Sequence, residues 1–390
     1  MVSPTAGFSS LTVAKPTSLA IQRSPAILED KNYLSSQIIT YIGNKRALLS
    51  EISTAFELVC RELGRDKLVF LDLFSGTGVV SRLAKQYSRH IIANDLETYS
   101  TITNSCYLSN GNRELELLLK STLIDLQKTI ETSLKPGFIT ELYAAKDESR
   151  INSRDRVFYT RQNAIFIDSA CRAIAQLPDE LQVYFTAPLL AQASVHVNTA
   201  GVFKGFYKNQ QGIGQFGGSG SHALCRILKP IELHLPVLSR FPSSHEVTQM
   251  EAGQLVKQLD DLDLAYFDPP YNQHPYGSNY FMLNLIADYQ RPQTISAVSG
   301  IPADWNRSDY NRRAKAAAVL FDSIANCPAR FILVSYNSEG FISLQEFRKT
   351  LSKLGRLHYM DRQYNTYRGC RNLAARAKHL SEYLFLLDRR

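Results

Sequence analysis

Two stretches of sequence, far apart in the chain, decide the fold: Leu68-Val-Phe-Leu-Asp72-Leu-Phe-Ser-Gly76-Thr-Gly78 and Leu264-Ala-Tyr-Phe-Asp268-Pro-Pro-Tyr271. Each begins with a short apolar run typical of a buried strand and ends in a turn built on glycine or proline. A helical pattern at 79–87 and a second strand at 90–94 follow the first stretch, in the order of a βαβ unit. We therefore predict an α/β fold with a mixed, mostly parallel sheet.

Apolar spacing predicts the remaining elements on both sides of these stretches. A helix is expected over 47–63, with Gly64 as its end. The other predicted elements are helices at 115–134, 163–177, 255–259, 280–289 and 312–326 and strands at 330–335 and 382–387.

The bulk composition favours an acidic partner. The 390 residues carry a net charge of +8, and excess cations are typical of nucleic-acid binding, although many basic proteins bind no nucleic acid. The six cysteines are scattered, without zinc-ligand spacing, which predicts reduced thiols and a cytoplasmic protein. No apolar run approaches the length of a membrane span, so we expect no membrane partner.

The glycine turn after the first strand indicates a nucleoside site. Gly76 and Gly78 let the backbone turn tightly against a ligand, and Asp72 is placed to anchor a cationic amine. Asp95 ends the next strand, where a carboxylate accepts ribose hydroxyls. Ser81 stands where dinucleotide-binding folds have a third glycine, so such a fold is disfavoured. The alternative is a tight turn that binds nothing.

The turn Asp268-Pro269-Pro270-Tyr271 carries the reactive chemistry. Its prolines remove two backbone donors and leave carbonyl oxygens beside a carboxylate. An amine with two hydrogens fits this set: Asp268 accepts one hydrogen and the Pro269 carbonyl the other, while the Tyr271 ring stacks on the base that carries the amine. The alternative is a rigid Pro-Pro turn capped by an acid.

These motifs together resemble those of a known family. Phe74-x-Gly76-x-Gly78 with Asp268-Pro-Pro-Tyr271, preceded by Tyr41-x-Gly43-x-Lys45, resembles the Dam-like (alpha-group) N6-adenine-specific DNA methyltransferases of the type II restriction-modification kind. The resemblance implies a Rossmann-like fold that uses S-adenosylmethionine, with a target-recognition domain inserted between the two halves.

The same resemblance implies a division of the chain and a role for each motif. It places a catalytic domain at 33–107 and 246–390 and the inserted recognition domain at 108–245. The Ser-, Thr-, Pro- and Ala-rich start of the chain predicts a loose N-terminal arm at 1–32. The residues expected to bind the cofactor are Tyr41, Gly43, Lys45, Asp72, Phe74, Gly76, Gly78, Asp95 and Glu251. For Lys45 a plain surface position, and for Glu251 a helix-capping role, remain alternatives. No metal is required, because the sulfonium methyl group is already activated.

The insertion and one segment of the catalytic half contain the candidate DNA contacts. Residues 198–220 mix glycines, aromatics and cations, which suits phosphate contact, although a solvated linker has a similar composition. A second candidate is Tyr364-Asn-Thr-Tyr-Arg368-Gly-Cys-Arg371. The predicted DNA-binding residues are Lys204, Tyr207, Lys208, Arg226 and Arg368.

The sequence thus predicts a monomeric enzyme that methylates N6 of a flipped-out adenine in double-stranded DNA, paired with a restriction endonuclease. Two alternatives use the same turn: an RNA N6-adenine and a DNA N4-cytosine amino-methyltransferase. A third is a catalytically silent relative that only binds nucleic acid, against which the intact Asp268, Gly76 and Gly78 argue.

Overall fold

The computed structural model describes residues 28–36, 38–365 and 379–390. In chain order the strands are β1 (Leu68–Asp72), β2 (Ser88–Asn94), β3 (Ser244–Thr248), β4 (Leu264–Phe267), β5 (Phe331–Asn337), β6 (Arg356–Asn365) and β7 (His379–Asp388). The helices are α1 (Lys31–Ser35), α2 (Leu49–Leu63), α3 (Val79–Ala84), α4 (Thr98–Tyr107), α5 (Arg113–Thr132), α6 (Phe138–Tyr143), α7 (Arg161–Ile174), α8 (Asp179–Val195), α9 (Leu224–Leu228), α10 (Ala252–Leu255), α11 (Tyr276–Asn279), α12 (Phe281–Asp288), α13 (Arg313–Asn326) and α14 (Leu344–Leu351).

The seven strands form one mixed sheet in the order β3-β2-β1-β4-β5-β7-β6. The first five are parallel, whereas β7 runs antiparallel between β5 and β6. The chain moves outward from β1 through β2 to β3 and then returns to the other side of β1 as β4. The connections therefore diverge where β1 meets β4, and ligands of open α/β sheets bind at such a point.

Both faces of the sheet are covered by helices, as the buried, uninterrupted apolar strands require. On one face, α2 buries Ile52, Phe56 and Val59, and the Phe56 ring lies 4.9 Å from that of Phe70. On the other face, α10, α13 and α14 pack on alternate strand residues such as Leu71 and Val334. The expected α/β class and mostly parallel sheet are confirmed.

The insertion forms a helical body that shares a core with the catalytic half. Apolar side chains of α5, α6, α7 and α8 cluster with those of α4 and α12 in one buried group. After the insertion, the chain re-enters the sheet at Ser244, two residues before the predicted domain boundary at 246. At the other end of the chain, the Glu29 carboxylate accepts hydrogen bonds from Ser239 and Arg240, so the last residues of the predicted arm are packed. The division into domains otherwise stays a prediction.

Most predicted elements are present, with corrected ends. The helix expected over 47–63 begins its α-helical part at Leu49, after a 3₁₀ turn at Lys45–Leu48, and ends at Gly64 with φ of 61°. Helix α3 ends at Ala84 rather than at Tyr87. The helix expected at 255–259 instead spans Ala252–Leu255, because the Glu251 side chain caps it by accepting from the Gln254 N–H.

We predict that Gly78→Ala destabilises the protein more than Gly64→Ala does. Both glycines have positive φ, which costs other residues about 1–2 kcal/mol. A Cβ atom at 78 would also lie 2.4 Å from Asn104 Oδ1, whereas nothing lies within 4 Å of one at 64. The midpoint of urea denaturation should therefore fall further for Gly78→Ala. Equal losses in the two variants would show that the contact with Asn104 is unimportant.

Candidate active site

A cavity of about 830 Å³ opens where β1 and β4 end, at the divergence of the sheet connections. This size is typical of ligand-binding clefts. Residues from both predicted motifs line it, so the glycine turn and the Asp-Pro-Pro-Tyr turn face one space. The predicted site residues in its wall are Tyr41, Gly43, Lys45, Asp72, Phe74, Gly76, Asp95, Glu251, Asp268 and Pro270.

Asp95 holds the glycine turn in place. Gly76 has φ of 50°, and its N–H donates to Asp95 Oδ2 at 2.8 Å. The other carboxylate oxygen, Oδ1, accepts from the Glu97 N–H at 3.0 Å. Each carboxylate oxygen still has lone-pair capacity, so Asp95 is able to accept ligand hydroxyls as well. Gly78 is the N-cap residue of α3 and, within the described chain, is not one of the residues that line the cavity.

The neighbouring Asn94 fixes three strand ends, a role that the sequence did not reveal. Its amide Nδ2 donates to the carbonyls of Leu73 and Met250, each at 3.1 Å. Its Oδ1 accepts from the Met250 N–H at 3.0 Å and from Thr248 Oγ1 at 2.9 Å. Because every polar group of this buried amide has a partner, the loops after β1, β2 and β3 are held at one edge.

Asp72 is a buried carboxyl with one oxygen unused within the described chain. The residue is 1% exposed, and its Oδ2 accepts from Ser81 Oγ at 2.6 Å. Its Oδ1 makes no hydrogen bond to any described residue. Burial, with smaller effects of Asp268 and Asp95, raises the pKa of Asp72 to about 7, although Ser81 opposes this. A cationic ligand group would satisfy this oxygen. Ser81, noted in the sequence only as a missing glycine, orients the carboxyl.

Three tyrosines join the N-terminal motif to the segment after the catalytic turn. The Tyr41 ring stacks between Tyr276, with centroids 5.0 Å apart, and Tyr280, at 4.7 Å. The Ile42 N–H donates to the Tyr280 hydroxyl at 2.7 Å. Phe74 meets the ring of Tyr310 edge-on at 5.0 Å, and both residues also line the cavity. The cavity therefore has two sets of aromatic side chains in its wall, which suit flat heterocyclic rings.

At the catalytic turn, Lys45 lies between two carboxylates. Its Nζ is 2.9 Å from Asp268 Oδ1 and 2.9 Å from Glu382 Oε1. Burial raises the pKa of Asp268 to about 6, against the opposing effect of Lys45. Burial alone would lower the pKa of Lys45, but Asp268 and Glu382 raise it well above its ordinary value. The sequence placed Lys45 at the cofactor, and neither its contact with Asp268 nor Glu382 was foreseen.

The rest of the turn is braced by the loop after β5. The Phe341 N–H donates to the Tyr271 carbonyl at 3.0 Å, and the Tyr271 ring meets Tyr336 edge-on at 6.3 Å. Pro269 is buried, and Pro270 is partly exposed to the cavity. The turn is therefore held on its outer side while its inner side faces the cleft.

Glu97 is a buried carboxylate that accepts hydrogen bonds from two asparagine side chains, and the sequence did not predict this role. Its Oε2 accepts from Asn284 Nδ2 at 2.6 Å and from Asn306 Nδ2 at 3.2 Å. Burial raises its pKa to about 7, while the two amides oppose the rise. A Cβ atom on the adjacent Gly277 would lie 2.6 Å from the Asn306 carbonyl. Glu97 and Gly277 together seat the segment around Asn306, which lines the cavity.

The glycine-rich segment of the insertion is an ordered loop built around Asn198. The Asn198 amide is buried, donates to the Val157 carbonyl at 2.8 Å and accepts from the Gly217 N–H at 2.9 Å. The Phe203 N–H donates to the Asn279 carbonyl at 2.7 Å, which ties the loop to the end of α11. These bonds show a fixed loop rather than a linker.

The predicted DNA-binding residues have different environments. Lys204 and Lys208 are exposed on the loop, and Lys208 Nζ lies 5.1 Å over the Phe206 ring. The Tyr207 ring is half-buried beside His222. The Arg226 guanidinium donates to the carbonyls of Val195, Val197 and Thr199 and so supports the loop from below. Arg368 lies outside the described residues. Contact of these residues with DNA stays a prediction.

Glu251 caps α10, as the alternative reading of this residue predicted, and also lines the cavity.

Within residues 28–36, 38–365 and 379–390, no group of three or more His, Cys, Asp or Glu side chains is arranged to hold a metal ion. Within the same residues, no helix has the length and apolar character needed to cross a membrane.

Comparison with known proteins identifies relatives over nearly the whole chain. A family model described as D12 class N6 adenine-specific DNA methyltransferase matches residues 41–350. Type II methyltransferase M.NlaIII of Neisseria lactamica is 29% identical over 359 residues, which cover 90% of this chain and 99% of that protein. Type II methyltransferase M.CviAII of Paramecium bursaria Chlorella virus 1 is 26% identical, with 90% and 98% covered. Modification methylase StsI of Streptococcus sanguinis is 26% identical over 90% of this chain but only 52% of its own length.

We predict that Asp72→Asn stabilises the ligand-free protein in a pH-dependent manner. The pKa of Asp72 is raised on folding, so ionisation destabilises the folded state as pH rises from about 4 through about 7. The variant removes this cost and should gain at least about 1 kcal/mol at pH 8, with little gain at pH 4. Ser81→Ala removes the hydroxyl that stabilises the carboxylate and should lose stability at pH 8. Thermal melts at both pH values test this, and a gain in Asp72→Asn that does not grow with pH would contradict it.

Proposed function

The chain belongs to the D12 class of N6 adenine-specific DNA methyltransferases, and from this premise we propose that it transfers the methyl group of S-adenosylmethionine to an adenine swung out of double-stranded DNA. The observation that carries the proposal is the single cavity lined by both the glycine turn and Asp268. A donor held at the first and an amine held at the second face each other without intervening protein. Alignment of this kind supplies much of the catalysis in a transfer between two bound molecules.

The residues at the glycine turn fit S-adenosylmethionine. The unused Oδ1 of Asp72 suits the amino group of its methionine part, and Asp95 suits its ribose hydroxyls. Phe74 and Tyr310 present rings for its adenine, with Glu251 nearby. When bound, the cofactor supplies a methyl group activated by a sulfonium centre. The protein therefore has to hold and orient both reactants.

Asp268 and the Pro269 carbonyl prepare the target amine. Asp268 accepts one N6 hydrogen and the carbonyl the other, which shifts the nitrogen lone pair out of the ring and toward the methyl group. The bound cofactor would supply the activated methyl group to this nitrogen, which would then release one of its hydrogens as a proton. Asp268 is suited to take that proton, because its pKa of about 6 allows it to return the proton to solvent at neutral pH.

The insertion is proposed to recognise the duplex. Lys204 and Lys208 carry exposed charges for phosphates, and we also assign Tyr207 and Arg226 to this surface. Arg368, which lies outside the insertion and outside the described residues, stays a separate predicted DNA contact. The loop is tied to α11 through Phe203 and Asn279, so bound DNA would lie next to the catalytic cavity. Extrusion of the adenine into that cavity costs a few kcal/mol of stacking, which the pocket contacts offset.

Several relatives are named type II methyltransferases or modification methylases. We propose the same setting here: a monomer that protects DNA in the cytoplasm of a cell carrying a matching restriction endonuclease. Family membership sets aside the RNA and N4-cytosine alternatives. The catalytically silent alternative is tested by activity. Incubation with labelled S-adenosylmethionine and unmethylated duplex DNA should yield N6-methyladenine, whereas binding without transfer would favour the silent form.

We predict that Asp268→Asn lowers methyl transfer by at least about 100-fold, the scale for loss of a central polar group in an active site. The amide keeps the shape of the carboxylate but not its charge. Cofactor affinity, measured by calorimetry, should change little because the Asp72 and Asp95 contacts remain. Turnover close to that of the wild type would contradict the role given to Asp268.

We predict that Lys204→Gln with Lys208→Gln weakens duplex binding and flattens its dependence on salt. Each phosphate contact that is lost should reduce the slope of log affinity against log salt by about 1. Lys353→Gln, an exposed lysine outside the insertion, serves as the matched control. Fluorescence anisotropy on a labelled duplex at several salt concentrations provides the measurement. If the double variant keeps the wild-type slope, the loop is not the phosphate-binding surface.

A further inference from the structure

The last strand in the chain, β7, brings a charged residue close to the catalytic turn. Glu382 lies on β7, paired across the sheet with Asn337 of β5. The residue is 4% exposed, although it carries a carboxylate. Neither the sequence motifs nor the mechanism above uses it. A buried carboxylate is expensive unless it has partners, so its environment indicates its role.

Two side chains of the neighbouring strand β5 fix the Glu382 carboxylate. Its Oε1 accepts from Ser335 Oγ at 2.8 Å, and its Oε2 accepts from Asn337 Nδ2 at 3.1 Å. Both donors lie on β5, the strand next to β4, whose end carries Asp268. The carboxylate therefore has little freedom to move, and its position relative to Asp268 is set by strand register.

Lys45 bridges Glu382 and Asp268. Its Nζ contacts one oxygen of each carboxylate at 2.9 Å and the Gly43 carbonyl at 3.2 Å. These three acceptors match the three hydrogens of an ammonium group. The bridge uses Asp268 Oδ1, and we assign the other oxygen, Oδ2, to the substrate hydrogen.

We propose that Glu382 is a positioning residue for methyl transfer, which shares the Lys45 ammonium with Asp268. It holds the ammonium on Oδ1 and takes part of its positive charge, so that Asp268 stays ionised yet remains a strong acceptor for the target amine. If Lys45 were paired with Asp268 alone, the ammonium would neutralise the Asp268 carboxylate more fully. Asp268 would then be a weaker hydrogen-bond acceptor. The proposal rests on the proposed function for its final step, but the charge sharing itself is independent of the substrate.

The charged and titratable groups around Asp268 set the sign of the test. Lys45 lowers the pKa of Asp268, and Glu382 raises it. Among the described residues, the other titratable groups that interact with Asp268 are Asp72, Tyr266, Tyr271 and Tyr276. Burial raises the pKa of each of the three tyrosine hydroxyls above its ordinary value. These hydroxyls therefore stay neutral near pH 6. Removing Glu382 should therefore lower the pKa of Asp268, whereas removing Lys45 should raise it.

The experiment compares Glu382→Gln with Lys45→Met. In the wild type, the acidic limb of the rate of methyl transfer to unmethylated duplex DNA should have its midpoint near pH 6. Glu382→Gln should move that midpoint to lower pH by about one unit and lower kcat by about 10-fold at neutral pH, with an unchanged Kd for S-adenosylmethionine. Lys45→Met should move the midpoint to higher pH by about one unit or more. Asp388→Asn, which removes a carboxylate at the far end of β7, should leave it unmoved.

A second readout does not depend on DNA. The Asp268 carboxyl carbon, labelled with ¹³C and assigned by its absence in Asp268→Asn, should titrate with the same shifts in the NMR spectrum. Shifts by NMR without methyl transfer would sink the proposed function and retain the charge sharing. A midpoint in Glu382→Gln that stays fixed or rises would overturn the positioning role. If that variant does not fold, Glu382→Asp keeps the charge but lengthens the bridge, and should shift the midpoint downward by a smaller amount.

Discussion

The site depends on the parallel pairing of β1 with β4. Backbone hydrogen bonds set Asp72 opposite Tyr266, so the two strands end at the same edge, one in the glycine turn and the other in Asp268. Residues distant in sequence thereby reach one cavity. The return of the chain from β3 to the far side of β1 makes room for the whole insertion between them without disturbing the sheet.

The cleft concentrates charged groups that are costly to bury. Asp72 and Glu97 have pKa values raised to about 7, chiefly by burial, and the Lys45–Asp268 pair is almost enclosed. Groups of this kind destabilise an isolated fold and are typical of functional sites. Their cost is limited by polar partners held on regular elements, such as Ser81 of α3 next to Asp72 and Asn284 of α12 next to Glu97.

Sequence reasoning succeeded where the chemistry is local. Glycine turns, proline turns and apolar runs are determined by neighbouring residues, so the central strands and the two turns that face the cavity were foreseen. The contact of Lys45 with Asp268, the role of Glu382 and the hydrogen bonds to Glu97 join residues that are remote in sequence. Nothing in the local pattern around Glu382 distinguishes it from a residue at a strand edge, because its partners are set by the antiparallel pairing of β7 with β5.

The anchorage of the glycine-rich loop determines where its own sequence can vary. Asn198 holds the base of the loop, and Phe203 fastens it to α11, while Lys204 and Lys208 remain outside these contacts. Side chains at the tip are thus free to vary without altering the catalytic cleft, whereas exchange of the entire loop must preserve both anchor points. Single substitutions at the tip and replacement of the whole loop therefore place different demands on the structure.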